Sequence, residues 1–265
     1  MKRLATAAIG LPILFVVVRY LDPRYFFALV GVAAIIATWE FHLLAKQRGI
    51  HSDPFLGGAL TLAVIASFVE PRIGLGAALA ASAILVPGRL LVSRGPVQGA
   101  FESMSATLAG VVFLGVPFGY VAGLMGSGDE VGRDLTIFLL LVVWIADAGA
   151  FALGSWIGKH PLAPTISPKK TIEGACAGLV ASMLAAWVAK LWFFQKLGSR
   201  DAVALAVLLW IAGLAGDLSE SLLKRSASLK DTGVLFPGHG GMLDRADSLL
   251  FGAPVLFFYY RAFMV

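Results

Sequence analysis

The chain is a succession of long apolar runs joined by short polar segments. About nine of these runs reach spanning length, near 4–22, 25–45, 55–70, 73–93, 105–126, 135–157, 171–194, 202–224 and 248–264, the third being short. A bilayer core of about 30 Å asks for roughly 20 residues of helix. Such spans must be helical, because lipid offers no partner to free backbone N–H and C=O groups. The pattern therefore predicts an all-α, polytopic integral membrane protein with about nine transmembrane helices. Glycines such as Gly57, Gly58, Gly74 and Gly76 fit as points of close helix contact. Lys2 and Arg3 precede the first run as they would in a signal peptide, but no small-residue cleavage site comes before Asp22-Pro23, so the segment is read as a retained helix.

Composition strengthens this picture. Of 265 residues 58% are hydrophobic and 14% charged, and the mean hydropathy is +0.85, which excludes a soluble globular domain. The single cysteine, Cys176, lies in an apolar run and forms no disulfide framework. A net charge of +5 is spread over short loops without a continuous basic face. That distribution argues against nucleic acid and for anionic lipid headgroups or nucleotide phosphates. Of the 21 Lys and Arg residues, 13 fall on the side that holds the N-terminus, which the positive-inside rule assigns to the cytoplasm.

Polar residues at span ends point to chemistry. Asp147 sits in an apolar run, W-I-A-D-A-G-A-F, and marks a site or pathway more readily than helix registration. Glu40 and His42, near the cytoplasmic end of the second run, read as snorkelling or locally hydrogen-bonded groups. Asp217, Glu220 or Ser221, and Lys224 stack at i, i+3/i+4 and i+7 as a polar stripe on an apolar helix. Asp244 and Asp247 repeat the i, i+3 spacing at the start of the last helix. Carboxylates from two helices suit Mg²⁺ carrying phosphate oxygens. Between them, Gly238, Gly240 and Gly241 allow close backbone approach, and Lys224, Arg225, Lys230 and Arg245 can neutralise phosphate. His239 reads as a phosphate contact or loop-ordering group before an acid or base. A second group, Ser167-Pro168-Lys169-Lys170-Thr171-Ile172-Glu173-Gly174, reads as a helix start capped by Ser167 or Thr171 with two lysines beside it. It fits an anion, and equally a juxtamembrane lysine pair on anionic lipid.

The run from Ser221 to Asp247, S-L-L-K-R-S-A-S-L-K-D-T-G-V-L-F-P-G-H-G-G-M-L-D-R-A-D, resembles the signature of the phosphatidate cytidylyltransferases, or CDP-diacylglycerol synthases. The S-P-K-K-T-I-E-G run and the stretch around Asp147 are similar to further landmarks of that family, while the first four spans match only in character. Ala246 stands where the family more often has a larger aliphatic residue. The resemblance implies transfer of CMP from CTP to phosphatidic acid, with release of pyrophosphate, in a multi-pass enzyme of the cell inner membrane whose site faces the cytoplasm. It divides the chain into N-terminal helices, 1–126, and a catalytic region with cytoplasmic loops, 127–265. It implies catalytic roles for Asp217, Asp244, Asp147 and Lys170, and a metal centre on Asp217, Asp244 and Asp247 with Mg²⁺ and room for a second cation. Substrate contacts fall to Ser167, Lys169, Lys170, Ser221, Lys224, Arg225, Lys230, His239, Gly240, Gly241 and Arg245. It is compatible with a homodimer. A CTP-dependent lipid or polyprenol kinase would share this chemistry but release CDP. A secondary transporter would show matched broken helices in two halves, whereas here the polar residues crowd the C-terminal half. A CDP-alcohol phosphotransferase lacks its D-x-x-D-G-x-x-A-R run in this chain.

Overall fold

A computed structural model of the protein describes residues 2–70, 72–93, 97–127, 129–229, 232–233 and 240–265; Lys230 and His239 lie outside them. Among the described residues the chain forms nine helical rods and one short hairpin. The rods are α1 (Lys2–Tyr20), α2 (Pro23–Gln47), α3 (Pro54–Val69), α4 (Leu75–Val92), α5 (Ala100–Met125), α6 (Asp129–Ile157), α7 (Ile172–Trp192), α8 (Ser199–Ser226) and α9 (Leu243–Phe263). Six of the described helices, α2, α4, α5, α6, α7 and α8, are long and apolar enough to cross a membrane. Helix α3 has only 16 residues, and α9 carries Asp244, Arg245, Asp247 and Arg261 within its 21. The protein is an all-α polytopic membrane protein.

Local chemistry sets several boundaries. Asp-Pro pairs open α2 and α3: the Asp22 carboxylate accepts from Arg24 N at 2.9 Å, and Asp53 from Phe55 N at 3.1 Å and Leu56 N at 3.0 Å. Each proline then takes the first helical position, where its missing N–H is not needed. Helix α5 contains a π turn at Val111–Gly115, immediately before Val116-Pro117, where the ladder has to accommodate a residue that cannot donate.

The chain divides into two compact units, Met1–Gly126 with Leu223–Arg245, and Ser127–Leu222 with Ala246–Val265. In the first, Leu60, Val64, Ala78, Val86 and Val111 form a buried apolar cluster. Helices α3 and α5 approach closely because Gly119 has no side chain: a Cβ there would run into the Phe68 ring. In the second unit α6 packs on α7 through small residues, and a Cβ on Gly154 or Gly174 would lie 3.0 Å from the other's Cα.

One expectation changes. The run after Ser167 does not begin a helix: Ser167–Thr171 is strand β2, paired antiparallel with β1, Pro161–Ala163. In a two-stranded hairpin both strands are edges, so Pro168 disturbs no ladder on its outer side. The helix starts at Ile172, and Thr171 caps it by accepting from Gly174 N at 3.1 Å. Glu173, in the first turn of α7, accepts from Lys159 N at 3.1 Å and His160 N at 3.2 Å, and its other oxygen meets His160 Nδ1 at 2.5 Å. These bonds tie the hairpin to the helix that follows it.

Candidate active site

In the second unit three acids meet. Asp217 and Glu220 are one turn apart on α8, so they share a face, and Asp247 comes from α9. One carboxylate oxygen of each lies within 4.8 Å of the other two. The meeting depends on Gly216. Its missing Cβ leaves the space occupied by the backbone carbonyl of Asp247, so α8 and α9 touch backbone to backbone beside the acids. Glu220 is buried at 1% exposure, Asp217 and Asp247 are half-buried, and Ser221 Oγ donates to Asp217 Oδ1 at 3.4 Å. Like charges this close repel one another, and a cation among them relieves that repulsion. Three hard oxygen donors are the ligand type that magnesium or calcium takes. The described residues thus contain an acidic group able to bind a metal ion.

The hairpin delivers a lysine to this group. Between the pairs Pro161–Thr171 and Ala163–Ser167 the register shifts, so β2 is irregular where Lys169 and Lys170 lie. Lys169 is exposed, whereas the Lys170 ammonium is ion-paired with Asp217 and its side chain is only 22% exposed. A lysine that reaches an acid cluster from a short, clipped hairpin can neutralise an anion arriving there.

In the first unit a second polar centre surrounds Asp244, in the first turn of α9. Lys224 Nζ donates to Asp244 Oδ1 at 2.6 Å, while Oδ2 accepts from Gly241 N at 2.7 Å, Thr232 Oγ1 at 2.8 Å and Thr232 N at 3.1 Å. Glu40, 5% exposed on α2, accepts from Leu243 N at 2.8 Å and Met242 N at 2.9 Å, and its Oε2 lies 3.2 Å from Thr232 Oγ1. Gly240 has φ +82°, and a Cβ there would strike the Asp244 carboxylate. A Cβ on Gly241 would strike Glu40 and Thr232.

The other residues singled out in the sequence take varied places. Arg225 is exposed and donates from Nη1 to Leu229 O at 3.2 Å. Arg245 is exposed, and Ser167 is half-buried at the start of β2. Asp147 is exposed on α6 and is not one of the three acids in the cluster. Two acids carry more than the sequence reading gave them. Glu220 belonged to the polar stripe but not to the ligand set, although its i+3 spacing from Asp217 was the available signal. Glu40 does form hydrogen bonds, but to residues 192 to 203 positions away, a relation no local pattern reveals.

Comparison with known proteins bears on what these groups do. The sequence model of the cytidylyltransferase family matches residues 1–263. The chain belongs to the cytidylyltransferase family. It is 30% identical to a phosphatidate cytidylyltransferase of Synechocystis sp., over 97% of this chain and 95% of that protein. Proteins of the same name from Staphylococcus saprophyticus and Bacillus subtilis are 37% and 34% identical, over 59% and 62% of this chain and 58% and 60% of their own lengths. Membership in this family makes the chain a CTP-using nucleotidyltransferase of the membrane.

Proposed function

We propose that the protein is a phosphatidate cytidylyltransferase that converts CTP and phosphatidic acid to CDP-diacylglycerol and pyrophosphate at the cytoplasmic face of the cell membrane. The observation that carries this reading is the 30% identity, along 97% of the chain, to a relative bearing that name. The reaction is a displacement at phosphorus. An oxygen of the lipid phosphate attacks the α-phosphorus of CTP, the bond from that phosphorus to the β-phosphate oxygen breaks, and pyrophosphate leaves with the electron pair. Such transfers need positioning and charge neutralisation more than a protein nucleophile.

The residues suit those needs. Asp217, Glu220 and Asp247 would hold the divalent ion, and their oxygen donors fit Mg²⁺. Mg²⁺ bound there supplies positive charge for triphosphate oxygens. Lys170, beside Asp217, is assigned to the nucleotide phosphates, with Lys169 and Ser167 on the same strand as secondary contacts. Lys224, Arg225 and Arg245 are assigned to phosphate as well, and Asp244 orients Lys224. Cytoplasmic orientation rests on the excess of lysine and arginine in the loops that carry these groups.

The test is product analysis. Purified protein incubated with phosphatidic acid, Mg²⁺ and CTP labelled separately on the α- and γ-phosphates should place the α-label in lipid and the γ-label in pyrophosphate. Transfer of the γ-label to lipid, with CDP released, would replace this reading with a lipid kinase. No label in lipid would remove both.

A further inference from the structure

We infer that Glu40 is a positioning residue for the loop that ends at Asp244, and that it acts through the hydroxyl of Thr232; the inference rests on the function proposed above. Glu40 lies on α2, remote in sequence from every motif that the chemistry uses. Its carboxylate nevertheless accepts from Met242 N and Leu243 N, two N–H groups at the start of α9 that have no partner inside the helix. A carboxylate at that end of a helix is also favoured by the helix dipole.

Gly233 and Gly241 both leave room for this one side chain. A Cβ on Gly241 would strike both Glu40 oxygens, and a Cβ on Gly233 would strike Oε1. The glycine at 241, which the sequence offers as room for a phosphate, is needed for room around Glu40. The next shell is shared with Asp244. Thr232 Oγ1 lies 3.2 Å from Glu40 Oε2 and 2.8 Å from Asp244 Oδ2. A hydroxyl has one hydrogen, so it donates to only one of the two carboxylates at a time. Asp244 Oδ2 keeps its bonds from Thr232 N and Gly241 N in either case. Glu40 therefore fixes the backbone that holds Asp244 and competes for the hydroxyl that decides how fully Asp244 is saturated. Through Asp244 Oδ1 the same arrangement sets the position of the Lys224 ammonium.

The experiment compares Glu40→Gln, Thr232→Val and Thr232→Ser with the parent protein in one detergent. Glu40→Gln keeps the size but turns an N–H₂ group toward backbone donors. Hydrogen exchange read by mass spectrometry should show faster exchange in peptides covering 240–246 for Glu40→Gln. Both Glu40→Gln and Thr232→Val should lower kcat on the order of 10- to 100-fold, as a misplaced polar group does. The KM for phosphatidic acid should change less than kcat in both, because the variants shift Asp244 and Lys224 without removing either. Thr232→Ser, which keeps the hydroxyl, should restore kcat. Parent-like exchange and kcat in Glu40→Gln, a loss of activity that tracks only the loss of folded protein, or a Thr232→Ser variant as impaired as Thr232→Val would each overturn the inference. If the parent protein makes no CDP-lipid, the proposed function fails, and the exchange data still decide whether Glu40 orders the loop.

Discussion

A carboxylate near hydrocarbon stays ionised only if something stabilises its charge, and the chain does this in two ways. Asp217 is ion-paired with Lys170 within a group of three acids. Asp244 and Glu40 are wrapped in backbone and hydroxyl donors. The first arrangement can exchange its lysine for a metal ion, whereas the second is already satisfied by the protein. Asp217→Asn and Asp247→Asn should therefore each reduce kcat/KM about 1,000-fold, a loss of several kcal/mol of transition-state stabilisation, with an unchanged size-exclusion profile. Turnover of either variant within a few-fold of the parent would remove those acids from the reaction. Lys170→Ala should raise the apparent KM for CTP or lower kcat, and kinetics identical to the parent would make it a lipid-surface lysine. At this scale the sequence singled out Asp217, Asp247 and Lys170, which the structure brings together, because a charge in an apolar chain stands out; it also expected Asp244 among the metal ligands, and Asp244 is not one of the three acids in that group. It left Glu40 obscure because the meaning of that charge depends on partners about 200 residues away.

Helices and the hairpin were legible to different degrees. The apolar runs near 25–45 and 171–194 correspond to α2 and α7 within a few residues, because Asp-Pro and Thr caps lie where the polar joints are. The hairpin was not legible. Three residues of β1 and five of β2 are too short to show a period, and Ser-Pro followed by lysines also looks like a helix start. The contact of α8 with α9 was hidden too, since one glycine among 30 gives no sign of what faces it. It now makes a specific prediction. Gly216→Ala inserts a methyl group where the Asp247 carbonyl sits, so the helices must separate. Overpacking of this kind costs about 1–3 kcal/mol, and the accompanying shift of the acids should lower kcat roughly tenfold. Thermal unfolding and steady-state kinetics of the variant would check both, and unchanged values would mean that the contact yields freely.

For the molecule as a whole, hydropathy conveyed the class of fold, because lipid leaves helices as the spanning form for such runs. It conveyed less about how polar centres form between distant helices. The described residues assemble an acidic group from α8 and α9 and a clasp that joins α2 to the start of α9. If the acidic group holds the divalent ion proposed for it, activity should be lost to chelators and regained with added metal. Removal of metal by EDTA should abolish CDP-lipid formation, and excess Mg²⁺ should restore it, as read by the doubly labelled CTP assay. Full activity at saturating EDTA would argue that the three acids serve another purpose.

The strand that carries the lysines has a consequence for sequence change. Lys170 stands directly before the residue that caps α7, so its offset from that cap decides whether an ammonium reaches Asp217. One residue inserted between Lys170 and the Thr171 cap would hand that place to the newcomer and move Lys170 about 3.3 Å back along β2. Insertion of two would double that displacement. Length variation at this junction should thus be poorly tolerated even where both lysines are kept, a constraint on indels that conservation of lysine alone would never disclose.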